Sequence, residues 1–464
     1  MRIELMAGVM TAILMGCATS KKPNPVKLGF EVPNRFGASA NAPTTSGWLD
    51  DFNSTTLNAL VQEAIKNNPD LRVTAARLKI ALEDVKIAGA DRLPKLTATA
   101  LASRTKRNSA SGFRITSSRN NRFSPTLDLA WELDVWGRLA DARTAALFDA
   151  EEAQANLLAA QLSLAANTAK GWFNVAESEL QVKLAEQTYQ SYTNNLAVLE
   201  EGFQAGLTKA LDVRLMRTSV RNAEGTLQLR LRERDATRRS LEVLLGRYPK
   251  NGIPKNESLP TINKSIPVGL PAQLLIRRPD LVAAQRNYLA AHRRTSAAKK
   301  DRLPQIRLTS SYGTSSDELK DVLDINNNIW SLAANLTKPI LDGGKIRSQI
   351  DRAKAQQEEA RYNYVQVALQ AFAEVETALA AENYLTKQET ALLASVTEAL
   401  EAENLAMDDY TAGLADIVTV LESQRRVFDA KRSLIDLQNL RLQNRIDLYL
   451  ALGGEFAQQK KTAE

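Results

Sequence analysis

Apolar and polar residues alternate along two stretches in each half of the chain. The clearest stretch begins at Phe123, and every second residue from there to Leu133 is apolar, while those between are polar or small. Alternation of period two is typical of a β-strand with one apolar face. The pattern predicts strands over about 95–103, 122–135, 305–313 and 328–341. Polar loops are predicted between the strands of each pair, over 104–121 and 314–327.

Other segments lack the residues that end helices. Residues 345–410 contain neither Gly nor Pro, and residues 138–201 contain one Gly and no Pro. Leu and Ala recur from Leu139 to Leu164 at a mean step of about 3.6 residues, the period of an α-helix. We therefore predict long helices over about 138–203 and 345–411, each followed by a second helix, over about 209–246 and 416–451. An Ala-Gly-Leu turn follows each long helix, where Gly is the residue that favours a left-handed cap.

The two halves of the chain repeat each other. Asn-Pro-Asp-Leu at 68–71 corresponds to Arg-Pro-Asp-Leu at 278–281, and Asp-Arg-Leu-Pro at 91–94 recurs at 301–304. A repeat of this kind indicates one supersecondary unit used twice. Each unit is predicted as helix, two strands, long helix and helix, in a mainly α-helical fold. The predicted segments are a first repeat over 47–248, a proline-rich linker over 249–277, a second repeat over 278–455 and a polar tail over 456–464.

The N-terminus has the pattern of a secretory signal. A basic start precedes the apolar run Leu5–Met15, which suits a signal-peptide core and is too short to span a bilayer. The run leads into Leu-Met-Gly-Cys, which resembles the bacterial lipobox, so we predict a signal peptide over 1–16 and a lipid on Cys17. Ala18 favours delivery to the outer membrane. Residues 17–46, rich in Pro, Ser and Asn, are predicted to be an extended tether.

Composition excludes several classes of protein. Hydrophobic residues make up 44% of the chain and no apolar run reaches the ~20 residues of a spanning helix, so a polytopic helical membrane protein is excluded but a β-barrel is not. The net charge of +7 comes from 60 basic and 53 acidic residues that are interspersed, which argues against nucleic-acid binding. One Cys and one His cannot form a disulfide or a Cys/His zinc site.

Catalytic motifs are missing from the sequence. It contains no phosphate-binding Gly-x-x-x-x-Gly-Lys-Ser/Thr, no dinucleotide-binding Gly-x-Gly-x-x-Gly and no Gly-x-Ser-x-Gly. His292 lies in Ala-His-Arg-Arg, where a surface position is expected. We therefore predict neither an enzyme nor a metal site, and no cofactor other than the lipid on Cys17.

Four amphipathic strands cannot close into a barrel by themselves. In a membrane every backbone polar group needs a partner, so copies of the chain would have to combine. Two copies would give eight strands with a filled interior, whereas three would give twelve with room for water. The polar face with Asp128, Glu132 and Asp134 favours the second arrangement. A soluble β-sandwich is the alternative interpretation of the same strands.

The motifs together resemble the TolC-like outer-membrane efflux ducts, in particular their lipoprotein branch. The resemblance rests on the lipobox, the duplicated motifs, Gly-Trp with Asp-Phe at 47–52, Trp-Gly-Arg at 136–138 and Asp-Gly-Gly at 342–344. It covers nearly the whole chain after residue 46. It implies a homotrimer with a transmembrane twelve-stranded β-barrel, continued by a twelve-helix α-barrel that extends into the periplasm.

The resemblance also implies two kinds of site. The turns after the long helices correspond to the docking site for a periplasmic adaptor, at Ala205, Gly206, Leu207, Ala412, Gly413 and Leu414. Residues just past the turns correspond to a periplasmic gate, at Asp212, Val418 and Glu422. Ala415 replaces an Arg that some family members carry there. The alternative for Asp212 and Glu422 is an ordinary solvated helix charge, since Arg425 and Arg426 follow Glu422 at pairing distance.

The function implied is the passive exit duct of a tripartite efflux pump in the bacterial outer membrane. Its partners would be a periplasmic adaptor, an inner-membrane transporter, with the proton-driven type favoured, and outer-membrane lipid. Drugs or other small toxic compounds would pass through it. Two alternatives stay open: the exit duct of a type I protein-secretion system, and a structural envelope lipoprotein without a channel.

Overall fold

The computed structural model describes residues 32, 47–111, 113–256, 258–261 and 277–454. The predicted signal peptide, Cys17, nearly all of the predicted tether, much of the linker and the polar tail lie outside these residues. Most of the described chain is helical.

Each half of the chain has the same order of elements. The first half has a 3₁₀ helix at Trp48–Phe52, α1 (Thr55–Asn67), α2 (Pro69–Ala90), β1 (Lys95–Ser111), β2 (Arg114–Leu133), α3 (Arg138–Gln204) and α4 (Ala210–Leu244). The second half has α5 (Pro279–Lys300), β3 (Gln305–Thr314), β4 (Asn328–Thr337), α6 (Lys345–Thr411) and α7 (Ile417–Ala451). Helices α3 and α6 both have 67 residues, and α4 and α7 both have 35. The duplicated sequence therefore produces a duplicated structure.

The described chain separates into two compact units, each built from distant segments. The first unit contains the strands, most of α2 and α5, and the adjoining parts of α3 and α6. The second unit contains α1, α4, α7 and the remaining parts of α3 and α6.

Within the described residues, four antiparallel strands form one sheet in the order β1-β2-β3-β4. The register places Leu127, Tyr312 and Trp330 side by side on one face. Asp128 lies on the other face, where its carboxylate accepts a hydrogen bond of 2.7 Å from the Ser311 hydroxyl. The sheet is thus apolar on one face and polar on the other, as the alternation predicts.

The first hairpin is longer than the sequence indicates. The predicted loop over 104–121 is wrong, because β1 continues to Ser111, β2 begins at Arg114, and the residues of 104–111 pair in register with those of 114–121. Apolar residues are nearly absent from this part of the hairpin, so the alternation gave no signal. Main-chain hydrogen bonds between strands require no apolar face.

Two strands end earlier than predicted. The predicted end of the second strand at 135 is wrong: β2 ends at Leu133, and the Asp134 carboxylate accepts hydrogen bonds of 3.0 and 2.7 Å from backbone N–H groups in the first turn of α3. Asp134 therefore caps a helix and does not extend the polar face of the strand. β4 ends at Thr337, before the predicted 341, and Pro339 beyond it has no N–H to donate to a neighbouring strand.

The core of the second unit joins helices from both repeats. The Phe173 side chain on α3 is 1% exposed, and its ring lies 5.1 Å from that of Phe52. Leu57 on α1, Leu241 on α4 and Ile446 on α7 are buried in the same cluster. Burial of each such side chain contributes about 1.5–3 kcal/mol.

In the first unit, a buried carboxylate holds α5 against α3. Asp141 is 4% exposed, and its carboxylate lies 2.6 Å from Lys300 Nζ and 3.3 Å from Arg293 Nη1. Two cations from one helix thus share one acid from another, which compensates the charge that burial would otherwise leave unpaired.

None of the helices in the described part of the chain combines the length and the apolar character needed to cross a lipid bilayer.

We expect Gly246→Ala to lower the stability more than Gly206→Ala. Both glycines have positive φ, +71° and +75°, and a side chain in that conformation costs about 1 kcal/mol. A Cβ on Gly246 would also lie 2.7 Å from the carbonyl oxygen of Asn67, whereas nothing lies within 4 Å of the equivalent position at Gly206. Thermal unfolding of the two variants measures the difference. Equal Tm values would show that the contact with Asn67 relaxes without cost.

Candidate functional site

Both long helices end in the same hydrogen-bonded turn. The N–H groups of Gly206 and Leu207 donate to carbonyl oxygens in the last turn of α3 at 3.0 and 2.8 Å, and those of Gly413 and Leu414 do the same in α6 at 3.0 and 2.8 Å. This pair of bonds is the Schellman motif. It requires a left-handed residue, and Gly206 and Gly413 have φ of +75° and +76°.

The leucine of each turn extends away from the protein. Leu207 is 86% exposed and Leu414 is 79% exposed. In many Schellman motifs the apolar side chain at this position packs on its own helix. Here the two side chains are available for contact with another molecule. All six predicted docking residues are exposed: Ala205, Gly206, Leu207, Ala412, Gly413 and Leu414.

Residues of opposite charge precede α4 and α7, the helices that follow the two turns. Asp416 is the N-cap of α7, and its carboxylate accepts a hydrogen bond of 3.0 Å from the N–H of Thr419. Lys209 takes the equivalent place before α4. The hydrogen bonds from Thr419, and more weakly the charge of Lys209, hold the pKa of Asp416 below its usual value. The starts of α4 and α7 are therefore close enough to interact electrostatically.

Tyr410 connects the end of α6 to the start of α4. Burial, followed by the charge of Asp212 and a hydrogen bond to its carboxylate, raises the pKa of Tyr410. Sequence reasoning did not single out Tyr410. Its equivalent in the first repeat is Phe203, so a comparison of the two turns offered a signal: a hydroxyl group present in one and absent from the other.

An apolar cluster beneath the turns joins four helices. Its buried members are Leu199 of α3, Val213 and Met216 of α4, Ala406 of α6, and Ile417 and Val420 of α7. The two turns and the residues after them therefore belong to one packed assembly.

Two of the three predicted gate residues line one cavity. Val418 and Glu422 lie beside a cavity of about 440 Å³ among α3, α4 and α7, with Phe428 as part of its wall. Asp212 lies outside this wall, in the first turn of α4 beside Tyr410. Within this chain, the structure brings Val418 and Glu422 together and places Asp212 outside that cavity.

The charge of Glu422 is compensated on its own helix. Arg425 Nη2 and Arg426 Nε lie 2.9 and 3.2 Å from the carboxylate, as expected for residues three and four positions further along. Hydrogen bonds from Arg425 and then Arg426 lower the pKa of Glu422. Val418, one turn before, is 55% exposed. A gate residue and an ordinary exposed helix charge are both compatible with this geometry at Glu422.

Two carboxylates and two amides connect α3 to α7 farther from the turns. Asn439 Nδ2 donates to Glu177 at 2.6 Å, and Gln181 Nε2 donates to Asp436 at 2.6 Å. Burial, and next the negative charge of Asp436, raises the pKa of Glu177 to about 7. Sequence reasoning missed this group because charged residues on a helix carry no local signal of burial. Only the packing of two helices that are remote in sequence brings them together.

The chain is similar to known proteins over most of its length. The family model described as "Outer membrane efflux protein" matches residues 60–247 and 270–454. The cation efflux system protein CusC of Escherichia coli O6:H1 is 29% identical over 458 residues, which cover 96% of this chain and 97% of that protein. The solvent efflux pump outer membrane protein SrpC of Pseudomonas putida is 32% identical over 410 residues, covering 88% of this chain and 87% of that protein.

The fold has counterparts among solved structures. A crystal structure of CusC, described in connection with transmembrane channel formation, has a TM-score of 0.85 and 27% identity to this chain. The structural match covers 94% of this chain and 100% of the CusC chain. In the described residues of this chain, no group of three or more His, Cys, Asp and Glu side chains could hold a metal ion.

We expect the stability of the protein to fall as the pH rises from about 4.5 to about 7. The pKa of Glu177 is raised in the folded state from 4.5 to about 7, so the folded protein binds this proton more tightly than the unfolded chain. The stabilisation is present below pH 4.5 and is lost as the pH passes through about 7. Glu177→Gln should flatten this part of the profile of Tm against pH.

A matched control lies on the same helix. Glu201 is exposed, and Glu201→Gln should leave the slope of Tm against pH unchanged. The two variants are compared by thermal unfolding in the same detergent. A slope that Glu177→Gln does not alter would contradict the assignment of the proton to Glu177.

Proposed function

This chain belongs to the outer membrane efflux protein family, and on that premise we propose that it is the exit duct of a tripartite efflux pump in a bacterial outer membrane. The observation that carries the proposal is the extent of the family match, which includes both repeats and both turns. The duct is a passive conduit in this proposal. An inner-membrane transporter, of the proton-driven type, supplies the energy.

The proposed assembly is a homotrimer with a closed barrel of twelve strands. β1 and β4 are the edges of the described sheet, and an unpaired edge is not tolerated in lipid, where no water can satisfy the backbone. Joining β4 of one copy to β1 of the next removes the edges, and three copies leave room for a wet interior. Threefold symmetry would likewise assemble α3, α4, α6 and α7 into a barrel of twelve helices.

The proposed gate is formed by three copies of Asp212, Val418 and Glu422 around the threefold axis. Near the turns, the ion pair that joins Arg217 of α4 to Glu200 of α3 is exposed, and an exposed pair of this kind is individually weak. Val418 would add an apolar ring that opposes hydration of a constriction. A partner that binds the open state better than the closed state by a modest free energy could therefore open it.

The proposed adaptor contact is the pair of Ala-Gly-Leu turns. Exposed Leu207 and Leu414 offer apolar contact area beside glycines that leave space for a close approach. The partner would be a periplasmic adaptor that bridges the duct to the inner-membrane transporter.

The cargo in this proposal is a small toxic compound. The relatives are named for cations and for solvents, and a wide polar interior selects little, so the choice of cargo rests with the transporter. The proposed lipid on Cys17 would anchor the chain to the outer membrane. Incorporation of labelled palmitate, compared with Cys17→Ala, tests that anchor.

We expect the purified protein to conduct ions in a planar bilayer, with a small resting conductance that Val418→Ser raises by about twofold or more, because water enters a polar constriction more easily. Val198→Ser is the matched control, since Val198 is 68% exposed on α3 outside the proposed gate. It should conduct as the parent does. A protein that inserts but never conducts would favour the structural lipoprotein, and equal conductance of all three forms would place the constriction elsewhere.

We also expect Leu207→Arg with Leu414→Arg to reduce adaptor binding by about tenfold, because two exposed apolar contacts are replaced by charges that would have to lose water. The control, Leu207→Met with Leu414→Met, keeps the apolar contact area and should bind as the parent does. A photo-crosslinker at Ala205 in living cells reports the contact. Crosslinking at parental yield in the Arg variant would contradict this docking site. A crosslinked partner from a protein-secretion system would support the secretion alternative.

A further inference from the structure

One face of the sheet is apolar over most of its height. Leu127, Tyr312 and Trp330 lie side by side on this face and are 48%, 52% and 74% exposed. Farther along the first hairpin, the paired residues Ala102 and Phe123 continue the same face. Aromatic residues at the border of an apolar band are typical of the region where lipid tails meet head groups.

The same face becomes basic beyond Phe123. Arg104 lies two residues beyond Ala102 on β1, and Lys106 lies four residues beyond it, about 7 and 14 Å along the strand. Lys106 is paired directly with Arg119 of β2, so both side chains lie on the face that carries the apolar band. All three basic residues are exposed.

Residues 95–127 of the hairpin contain no acid that could compensate these charges. The sequence has no Asp or Glu between Asp91 and Asp128, and in the described part of the chain Arg104, Lys106 and Arg119 form no ion pair. Like charges that face each other across two strands are unfavourable. An anionic group from outside the hairpin would therefore stabilise the pair of Lys106 and Arg119.

We infer that the face of Arg104, Lys106 and Arg119 binds phosphate-bearing head groups of outer-leaflet lipid. This inference rests on the proposed function, because it requires the apolar band to lie in a membrane. Basic side chains immediately beyond an apolar band extend toward the head groups and gain electrostatic attraction when those groups are anionic. The hairpin thus continues beyond the membrane as a strand pair that fastens the duct to the lipid around it.

A neighbouring copy of the chain is the competing source of negative charge. The β3–β4 connection carries Asp317, Glu318, Asp321 and Asp324, but Glu318 pairs with Lys320 at 2.8 Å and Asp324 accepts hydrogen bonds from Asn326. The face of the sheet on which Lys106 and Arg119 lie favours lipid head groups over a neighbouring copy. Lys106 and Arg119 continue the apolar band, whereas residues on the opposite face continue the polar one.

The opposite face of the same hairpin offers a matched control. Arg107 and Arg122 are exposed there. Lys106→Gln with Arg119→Gln and Arg107→Gln with Arg122→Gln remove equal charge from the two faces. The full-length protein is purified and mixed with equal amounts of lipid A that carries its phosphates and lipid A from which they have been removed. Native mass spectrometry then counts each lipid on the protein.

The parent should retain phosphorylated lipid A in preference to the dephosphorylated form. Lys106→Gln with Arg119→Gln removes two cations from the face that continues the apolar band, which should lower this preference by about tenfold. Arg107→Gln with Arg122→Gln should stay within about twofold of the parent. Inorganic phosphate at the same phosphate concentration should not compete. Equal retention of both lipids by the parent, equal losses in the two variants, or competition by inorganic phosphate would each overturn the inference.

Two further readouts separate the possible failures. The first readout is the dissociation temperature of the oligomer, measured for Asp317→Asn with Glu318→Gln, for Lys106→Gln with Arg119→Gln, and for the two pairs combined. Non-additive losses would show that the basic face binds a neighbouring copy, and the inference would fail. Bilayer conductance of the Lys106/Arg119 variant should equal that of the parent. A parent that does not conduct would overturn the proposed function, whereas a conducting parent without lipid preference would overturn this inference alone.

Discussion

The packing of α3 against α4 and α7 is the interaction on which the second unit depends. Phe173 is fully buried in it, and residues of both repeats complete the cluster. The first repeat contributes most of this core through α1, α3 and α4, and the second repeat adds Leu442, Ile446 and Tyr449 of α7. The hydrogen bonds of Asn439 with Glu177 and of Gln181 with Asp436 add a specific register. An apolar interface alone would tolerate sliding, whereas buried polar groups lose their partners when helices shift.

The cluster of buried apolar residues near the two turns is smaller than the cluster around Phe173. This smaller cluster lies beneath the turns, and the interactions around it include exposed ion pairs, the Asp416 cap and the contact of Tyr410 with Asp212. Regions with few buried contacts require the least free energy to rearrange. A duct that must open at one end is therefore expected to use this end of the second unit, while the core around Phe173 keeps the helices aligned.

The first unit meets a different physical constraint. Its sheet has an apolar face, a polar face and two edges, which together suit a wall between lipid and water once the edges are paired. The basic residues beyond the apolar band belong to the same surface. Along β2 the residues of this face change from apolar through aromatic to cationic, which is the order that the proposed position in a membrane requires.

The sequence by itself determined what local rules control. The duplication, the long helices, the positions of the strands and the glycine turns follow from periodicity and from the backbone preferences of Gly and Pro, and the family it indicated is confirmed. Of the candidate site, the pairing of Glu422 with Arg425 also agrees with the structure, because it depends on neighbours within one helical turn.

Only the tertiary structure decided the rest. The continuation of the hairpin through 104–121, the partnership of Tyr410 with Asp212 and the shared environment of Glu177 and Asp436 join residues that are distant in the chain or that lack an apolar pattern. Hydrogen bonds and charges of this kind acquire their strength from burial and from the exact placement of a partner on another element. The spacing of apolar residues along one helix or strand contains no information about a partner on another element. These features therefore depend on how the helices and strands pack.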